Sequence, residues 1–217
     1  TTMADQHEYR ETFVLKFLEE NNISLSSINA VVGRGGLLNP LAGGTYKVND
    51  EMCAFLKAAK RGEHASNLGA MIAKSIADRI DVPSFIVDPV VVDELSVDAR
   101  YAGHPLFERI SIFHALNQKA VARLCASRIG KRYEDCNFIV AHIGGGISIG
   151  AHSRGKIIDV NNALDGDGPF SAERSGGLPT GQLVEVCFSG KHTKQDVKKM
   201  LKGKGGVVAY LGTNDMI

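Results

Sequence analysis

The feature that most restricts the fold of this chain is an apolar run at residues 138–141 that passes directly into a glycine-rich stretch at 142–150. Short apolar runs bounded by glycine are typical of buried strands. Apolar residues resume at 147–149 and at 156–160, and Gly155 between them can adopt the positive φ of a tight hairpin turn. The pattern predicts a strand, a glycine turn and an antiparallel pair of strands, with no helix directly after the glycines.

The rest of the chain alternates short apolar runs with helical patterns. Further strands are expected at 28–32 and 85–87, and residues 5–8 (Asp-Gln-His-Glu) resemble a capping box before the first helix. Helical spacing of apolar residues predicts helices at about 9–22, from 49, at 66–80, 110–129, 182–188 and 195–201. Such alternation favours an α/β fold with a mixed sheet and flanking helices.

Charge and cysteine content narrow the classes of partner. The 25 basic and 24 acidic side chains nearly cancel, so no global field favours nucleic acid or an anionic membrane. No apolar run approaches the ~20 residues that cross a bilayer, and the first residues do not have the pattern of a signal peptide. Cys53, Cys125, Cys136 and Cys187 lack metal-binding spacing and are expected to be buried thiols. A cytoplasmic protein with a small-molecule partner is therefore predicted.

The glycine-rich stretch could bind an anion. Consecutive glycines at 144–146 leave backbone N–H groups open to close approach, and a phosphate fits that description. The spacing matches neither a dinucleotide fingerprint nor a P-loop. The alternative is a glycine-rich β-turn that fills a tight corner without binding anything.

Two arginines lie in glycine-bordered loops. Arg34 follows a strand pattern within residues 33–36 (Gly-Arg-Gly-Gly), and Arg174 lies in a Gly- and Pro-rich loop at 165–181 that is unusually long for a compact domain. A guanidinium can hold a carboxylate or a phosphoryl group with two parallel hydrogen bonds. The alternatives are a solvated loop residue for Arg34 and an exposed ion pair with Glu173 for Arg174.

Asp88 and His114 are two further candidates. Asp88 ends a strand pattern, where a carboxylate could hold magnesium directly or through water, or could simply cap the turn. With Asp93, Glu94 and Asp98 it could also form a solvated acidic loop. His114 is expected at the start of a helix, where it could donate a hydrogen bond to a transferring phosphoryl group. A lone helical histidine is more often structural.

Taken in order, six short segments resemble the acetate and butyrate kinase family of the sugar kinase, heat-shock protein 70 and actin superfamily. They are 33–36 (Gly-Arg-Gly-Gly), 62–67 (Gly-Glu-His-Ala-Ser-Asn), 87–93 (Val-Asp-Pro-Val-Val-Val-Asp), 111–114 (Ser-Ile-Phe-His), 142–146 (His-Ile-Gly-Gly-Gly) and 173–176 (Glu-Arg-Ser-Gly). Residues 159–170 are similar to the butyrate kinase branch in particular. The resemblance covers nearly the whole chain and implies an actin-like ATPase fold of the ribonuclease H type, present only in part.

The resemblance implies reversible, ATP-dependent phosphorylation of butyrate or a branched short-chain acid, by direct in-line attack of the carboxylate on the γ-phosphorus. It implies catalytic roles for Arg34, His114 and Arg174, and magnesium at Asp88. The other implied contacts are His142, Gly144, Gly145 and Gly146 with the nucleotide phosphates, and Arg34, Gly36, Phe113 and Pro169 with the acyl substrate. At least a homodimer is also implied, with no nucleic acid or membrane partner.

The same resemblance implies a domain division and some missing parts. Residues 1–136 would be the remainder of an N-terminal acyl-substrate domain, and 137–217 the start of a C-terminal nucleotide-binding domain. The family's Asn-Pro-Gly-Ser-Thr-Ser phosphate strand, adenosine motif and late catalytic glutamate are not found, so part of a longer protein is expected. Gly145 and Gly177 replace polar residues of acetate kinases, and Gly36 replaces a bulkier one, which would leave room for a longer acyl chain.

Two alternatives to a carboxylate kinase stay open. The first is a catalytically incompetent domain that keeps a phosphate- or carboxylate-binding cleft and serves in binding or assembly. The second is a sugar or glycerol kinase of the same superfamily, which would need an aspartate base to activate a hydroxyl group. Asp88 is the only candidate for that base.

Overall fold

The computed structural model describes residues 3–216, which form two compact units that divide between Val92 and Asp93. The predicted domain division after residue 136 was drawn from the family resemblance and from function, whereas these units are defined by packing alone. That division therefore stays a prediction. Among residues 3–216, no helix has the length and apolar character needed to cross a membrane.

The first unit contains a small mixed sheet with three helices. Its strands are β1 (Val31–Arg34), β2 (Thr45–Lys47) and β3 (Ser84–Val87), in the order β1-β3-β2, with β1 parallel and β2 antiparallel to β3. Its helices are α1 (His7–Glu20), α2 (Asp50–Lys57) and α3 (Leu68–Asp78). The mixed sheet predicted from the sequence is confirmed, but β1 lies later than the predicted 28–32, because its pairing with β3 extends through Gly33 and Arg34.

Helix α1 forms where helical spacing predicted it, but its surroundings differ from the prediction. The capping box at 5–8 is wrong, since Asp5 lies in a short 3-10 helix (Ala4–Gln6) and the N-cap residue Gln6 makes no side-chain capping bond. The aromatic side chains of Tyr9, Phe13 and Phe17 are each more than half exposed. Apolar periodicity thus located the helix without telling which side of it the protein buries.

Strand β1 and helix α3 meet backbone to backbone. A Cβ atom on Gly33 would collide with the carbonyl oxygen of Gly69, and a Cβ on Gly69 would collide with the carbonyl oxygen of Arg34. Only glycine allows two backbones to approach this closely. The contact holds Arg34 beside the first turn of α3.

The second unit contains an antiparallel meander and four helices. Its strands are β4 (Asn137–Ile143), β5 (Ile147–Ser153) and β6 (Lys156–Val160), paired in sequence order. Its helices are α4 (Ala115–Arg128), α5 (Thr180–Phe188), α6 (Lys194–Leu201) and α7 (Val207–Leu211). The predicted hairpin is confirmed, with Arg154 at φ 48° and Gly155 at φ 82° in its turn. Helix α4 begins later than the predicted residue 110, with His114 as its N-cap.

The meander has one polar inner face. Because side chains alternate along a strand, His142, Ser148 and His152 share the face that carries the buried Val140, while Ile139 and Ile143 lie on the exposed opposite face. Helix α4 packs on β4, and its buried residues are Ala115, Gln118, Lys119, Ala122 and Ala126. Two of these residues are polar, so this part of the interior contains hydrogen-bonding groups that must find partners.

The cysteines do not all behave as predicted. Cys136 is buried and Cys53 is partly buried, where desolvation raises the pKa of its thiol. Cys125 and Cys187 are exposed, so the expectation of buried thiols is wrong for these two. Some of their apolar neighbours, such as Leu124 and Phe188, are exposed as well.

Replacing Gly69 by alanine tests the backbone contact between β1 and α3. Alanine at a helix position should stabilise by up to about 1 kcal/mol through propensity, but overpacking against the Arg34 carbonyl should dominate. A net loss of about 2 kcal/mol in the unfolding free energy is expected, measured by urea denaturation. Gly181→Ala in α5 is the matched control, since its Cβ would meet nothing within 4 Å. Equal or higher stability of the Gly69 variant would contradict the packing argument.

Candidate active site

Arg34 and Asp88 lie at the same edge of the first unit's sheet. Arg34 is the last residue of β1 and pairs with Val87 at the end of the parallel strand β3, so Asp88 follows immediately beyond it. Carboxyl ends of parallel strands are where α/β proteins place binding groups. The sequence predicted both positions, and parallel pairing brings them to one edge.

Arg34 also lines a cavity of about 650 Å³ within the first unit. One part of its lining is polar, with His64 and Ser66 beside Arg34, and another part is apolar, with Tyr9, Phe13 and Ile72 among its members. A cation next to apolar side chains is suited to a small carboxylic acid that carries a short hydrocarbon chain.

His64 is a residue of this cavity to which the sequence reasoning gave no role. Its Nδ1 accepts a hydrogen bond from the backbone N–H of Ser66 at 3.2 Å and lies 2.7 Å from the Ser66 hydroxyl. A ring nitrogen that accepts from an N–H carries no proton, so the proton of the neutral ring is on Nε2. The signal was present, because His64 belongs to one of the six matching segments and directly precedes a helical pattern.

Asp88 is almost fully buried, with 1% of its surface exposed. Its Oδ1 accepts a hydrogen bond from the backbone N–H of Gly44 at 2.8 Å, and its φ of 38° is unusual for a non-glycine residue. Two of the other acidic residues nearby in sequence are paired, since Asp93 binds Arg100 at 2.8 Å and Glu94 binds Lys119 at 2.9 Å, whereas Asp98 is exposed. The alternative of a solvated acidic loop is therefore wrong for Asp88, Asp93 and Glu94.

A single carboxylate provides few protein ligands for a metal ion. Among residues 3–216, no group of three or more His, Cys, Asp or Glu side chains could hold a metal. Magnesium commonly keeps several waters and is bound by one or two carboxylates together with substrate phosphates. Asp88 fits that arrangement as a single carboxylate.

Gly36 has a packing role that the sequence did not indicate. A Cβ atom there would lie 2.6 Å from both Cα and Oδ1 of Asn67 and 2.9 Å from a methyl group of Leu56. Asn67 is buried, and its Oδ1 accepts from the backbone N–H of Leu37 at 2.9 Å. Glycine is needed here by close packing, so the argument that it leaves room for a longer acyl chain loses its basis. Its assignment to substrate binding stays a prediction.

In the second unit, the rings of His114 and His142 are stacked. Their centroids are 3.7 Å apart with an angle of 8° between the ring planes. His114 Nδ1 lies 2.9 Å from the Ser148 hydroxyl, and Asn117 Nδ2 donates to His142 Nδ1 at 2.9 Å. Helix α4 therefore orients both rings, which the sequence had placed in separate segments.

The glycine turn brings Arg174 to this pair of rings. A Cβ atom on Gly146 would collide with Nη1 of Arg174 and lie 3.3 Å from Cε1 of His114. Nη1 of Arg174 donates to the carbonyl oxygen of Ala163, and burial lowers the pKa of the guanidinium, an effect that the charge of Glu173 opposes. The arginine is thus a partly desolvated cation between a loop carbonyl and the glycine turn.

The remaining predicted residues lie in different surroundings. Gly144 and Gly145 are exposed on the turn, where an anion can approach them, and the carbonyl oxygen of Gly145 accepts from the Ser171 hydroxyl at 2.8 Å. Pro169 is exposed, whereas Phe113 is buried in the interior of the unit. The roles of these residues in binding stay predictions.

Behind His114 lies a set of buried polar side chains that the sequence reasoning missed. The Gln118 amide reaches Ser148 through Nε2, at 3.0 Å from its carbonyl oxygen and 2.8 Å from its hydroxyl, and reaches His152 Nε2 through Oε1 at 3.0 Å. His152 Nδ1 lies 2.8 Å from the Tyr133 hydroxyl. Gln118 follows His114, the last residue of a matching segment, by one helical turn, which was the available signal.

Comparison with known proteins identifies the family of this chain. Residues 98–217 match the Acetokinase family. The chain belongs to this family. Butyrate kinase 2 of Clostridium acetobutylicum is 59% identical over 213 residues, which are 98% of this chain and 60% of that relative. Butyrate kinase 1 of the same organism is 58% identical over 214 residues, again with 60% of its length covered.

Solved structures of acetokinase-like enzymes have the same fold. Acetate kinase of Porphyromonas gingivalis superposes with a TM-score of 0.75 at 20% identity, over 94% of this chain and 55% of that one. A propionate kinase from Francisella tularensis subsp. tularensis SCHU S4 gives 0.71 at 22% identity, with the same coverage. The predicted mixed α/β fold of the actin-like ATPase type is confirmed. The chain spans about 60% of the length of its curated relatives in this family.

The buried histidine makes the stability of this acetokinase-family chain depend on pH. Desolvation, together with the charge of Lys119, lowers the pKa of His152 to about 4, and Glu94 opposes this shift. An unfolded histidine titrates near 6.5. Below that pH the unfolded state binds a proton that the folded state does not, so stability is complete above pH 6.5 and is lost as the pH falls towards 4.

The expected loss in unfolding free energy between pH 7 and pH 4 is about 2 kcal/mol, after allowance for solvent screening. Denaturant unfolding at a series of pH values measures it. His152→Gln should remove this part of the pH dependence, whereas His104→Gln, at an exposed position, should leave it unchanged. The same slope in the His152 variant as in the parent would contradict the assignment.

Proposed function

We propose that this chain supplies catalytic groups of an ATP-dependent kinase that converts butyrate or a branched short-chain acid reversibly into its acyl phosphate. The observation that carries the proposal is the meeting of Arg174 and His114 at Gly146, in a chain 59% identical to a protein named butyrate kinase 2. A cation and a hydrogen-bond donor beside a glycine turn are the groups that phosphoryl transfer requires.

Arg34 would hold the substrate carboxylate. Its cavity combines the guanidinium with apolar side chains of α1 and α3, so a short acyl chain could contact Phe13 and Ile72 while the carboxylate binds Arg34. Because a carboxylate is already a nucleophile, no protein base is needed. Gly36, Phe113 and Pro169 are further proposed contacts of the acyl substrate, by family resemblance.

Charge stabilisation would account for most of the catalysis. The phosphoryl group in transfer spreads negative charge over its oxygens, and donors already in place stabilise that charge without rearranging. Arg174, partly desolvated by burial, interacts more strongly with an anion than an exposed arginine would. His114 would add a hydrogen bond to the same group.

The nucleotide and the metal have their own proposed contacts. His142 and the backbone of Gly144, Gly145 and Gly146 would bind ATP phosphates, and Asp88 would hold Mg²⁺ directly or through water. When bound, the ion would neutralise negative charge on the nucleotide phosphates. We further propose residues 1–136 as an acyl-substrate domain and 137–217 as the start of a nucleotide-binding domain, in a cytoplasmic protein that is at least a homodimer and has no nucleic acid or membrane partner.

Removing either arginine tests the proposed chemistry. In the protein expressed from its complete gene, Arg34→Ala and Arg174→Ala should each lower turnover about 10²–10³-fold, measured as hydroxamate formed from butyrate, ATP and Mg²⁺. Arg128→Ala, at an exposed position of α4, is the matched control and should be fully active. Near-normal turnover in either test variant would exclude that arginine. No turnover by the parent protein would favour a binding or assembly domain instead.

The role of Asp88 is tested by a change that removes only its charge. Asp88→Asn keeps an oxygen that can accept from the Gly44 N–H, so the fold should survive. The Mg²⁺ concentration at half-maximal rate should rise about tenfold or more, while the KM for butyrate changes little. Asp98→Asn, at an exposed position, serves as the control. An unchanged Mg²⁺ dependence would exclude Asp88 from metal binding.

A further inference from the structure

We propose that Tyr133, His152, Gln118 and Ser148 form a one-directional hydrogen-bond chain that keeps the ring proton of His114 on Nε2. These four side chains are nearly or fully buried and lie behind His114 in the second unit. They would be positioning residues, because they act through His114 and do not touch a reacting group. Their role in turnover rests on the proposed function, whereas the position of the proton does not.

The direction of the chain is set at Gln118. An amide can be turned to exchange its oxygen and nitrogen, so its orientation must be deduced from its partners. One end of the Gln118 amide lies 3.0 Å from the carbonyl oxygen of Ser148, and a carbonyl oxygen can only accept. The nitrogen must therefore face Ser148, and the oxygen must face His152.

The hydrogen bonds between Gln118 and Tyr133 follow from that orientation of the amide. Because Gln118 Oε1 accepts, His152 Nε2 at 3.0 Å must donate and therefore carries a proton. A neutral ring then leaves Nδ1 as an acceptor for the Tyr133 hydroxyl at 2.8 Å. Neutrality is favoured by burial, which together with Lys119 lowers the pKa of His152 to about 4 against the opposing charge of Glu94.

The part between Gln118 and His114 follows in the same way. The two amide hydrogens of Gln118 are both used on Ser148, one on its carbonyl oxygen and one on its hydroxyl oxygen at 2.8 Å. The hydroxyl group keeps its own hydrogen to donate, and His114 Nδ1 lies 2.9 Å away. In the proposed direction Nδ1 accepts that hydrogen, and the proton of the neutral His114 ring is then on Nε2.

The surroundings also favour a neutral His114 ring. It stacks at 3.7 Å on His142, whose Nδ1 accepts from Asn117, and the Arg174 guanidinium lies across Gly146 from it. A positive charge on the His114 ring would be repelled by the charge of the nearby Arg174. The site therefore combines one permanent cation with a neutral donor whose N–H is held at one ring position.

The same hydrogen-bond chain requires a glycine at position 150. A Cβ atom at this position would collide with Oε1 of Gln118 and lie 3.3 Å from Nε2 of His152. The last glycine of the 142–150 segment thus makes room for the amide, and not for an anion. This separates its role from the phosphate binding that is proposed for the glycines at 144–146.

The position of the proton has a chemical consequence. With the proton on Nε2, that nitrogen can donate to an anionic oxygen of the transferring group, whereas an unprotonated Nε2 would direct a lone pair at it. Histidine rings in solution populate both tautomers, so the wrong one would leave part of the enzyme inactive. The buried chain would remove this heterogeneity.

Nitrogen NMR of the imidazole rings tests the proposal without any substitution. In ¹⁵N-labelled protein expressed from its complete gene, near pH 7.5, His114 should show a protonated Nε2 and an unprotonated Nδ1. A proton on Nδ1, or on both nitrogens, would overturn the proposal. In Ser148→Ala, which removes only the hydroxyl, the signals should move towards a mixture of the two tautomers. Unchanged signals in that variant would also overturn it.

Kinetics separate a positioning role from a structural one. Ser148→Ala should lower kcat for butyrate and ATP about tenfold, with KM for ATP nearly unchanged. In a His114→Gln background, where the amide nitrogen donates and no tautomer exists, the same change should cost less than about twofold. Equal losses in both backgrounds would mean that Ser148 only supports the fold. An inactive parent protein would defeat the proposed function, while the NMR experiment would still decide the position of the proton.

Discussion

The Gln118 side chain is fully buried, and both ends of its amide are hydrogen-bonded to strand β5. An unsatisfied amide in the interior would cost several kcal/mol, so the orientation of helix α4 against the meander is tightly constrained. His114 and Asn117, which orient the stacked rings, belong to the same part of α4. Small changes at this one amide would therefore reach the groups beside the glycine turn.

The first unit positions its candidate groups by a different means. There the contacts are steric, since Gly33 and Gly69 allow a strand and a helix to touch through their backbones, and Gly36 allows the loop to pack on Asn67. Backbone contacts leave no rotamers to choose and so hold Arg34 at a defined place on the sheet edge. The first unit thus uses close packing to place Arg34, and the second unit uses satisfied polar groups to place His114.

Local signals in the sequence were sufficient for most elements but for only part of the site. Strand β3, the meander and its turn at Gly155 follow from apolar runs and glycine, because those depend on neighbouring residues. The partners of Gln118 lie about 30 residues away, and no local pattern encodes that pairing. The exposed aromatic face of α1 was missed for a related reason, since periodicity describes one helix and burial depends on what packs against it.

The proposed substrate explains why tautomer control would matter more here than acidity. An enzyme that activates a hydroxyl group needs a base whose pKa lies near the working pH. A carboxylate arrives ionised, so a histidine beside the transferring group has no proton to remove and can contribute only as a donor. A donor acts through the position of its N–H, which pKa tuning does not determine. Such chemistry requires buried neutral groups behind His114 that fix the position of its N–H. It does not require a nearby carboxylate, because a carboxylate would favour a charged ring.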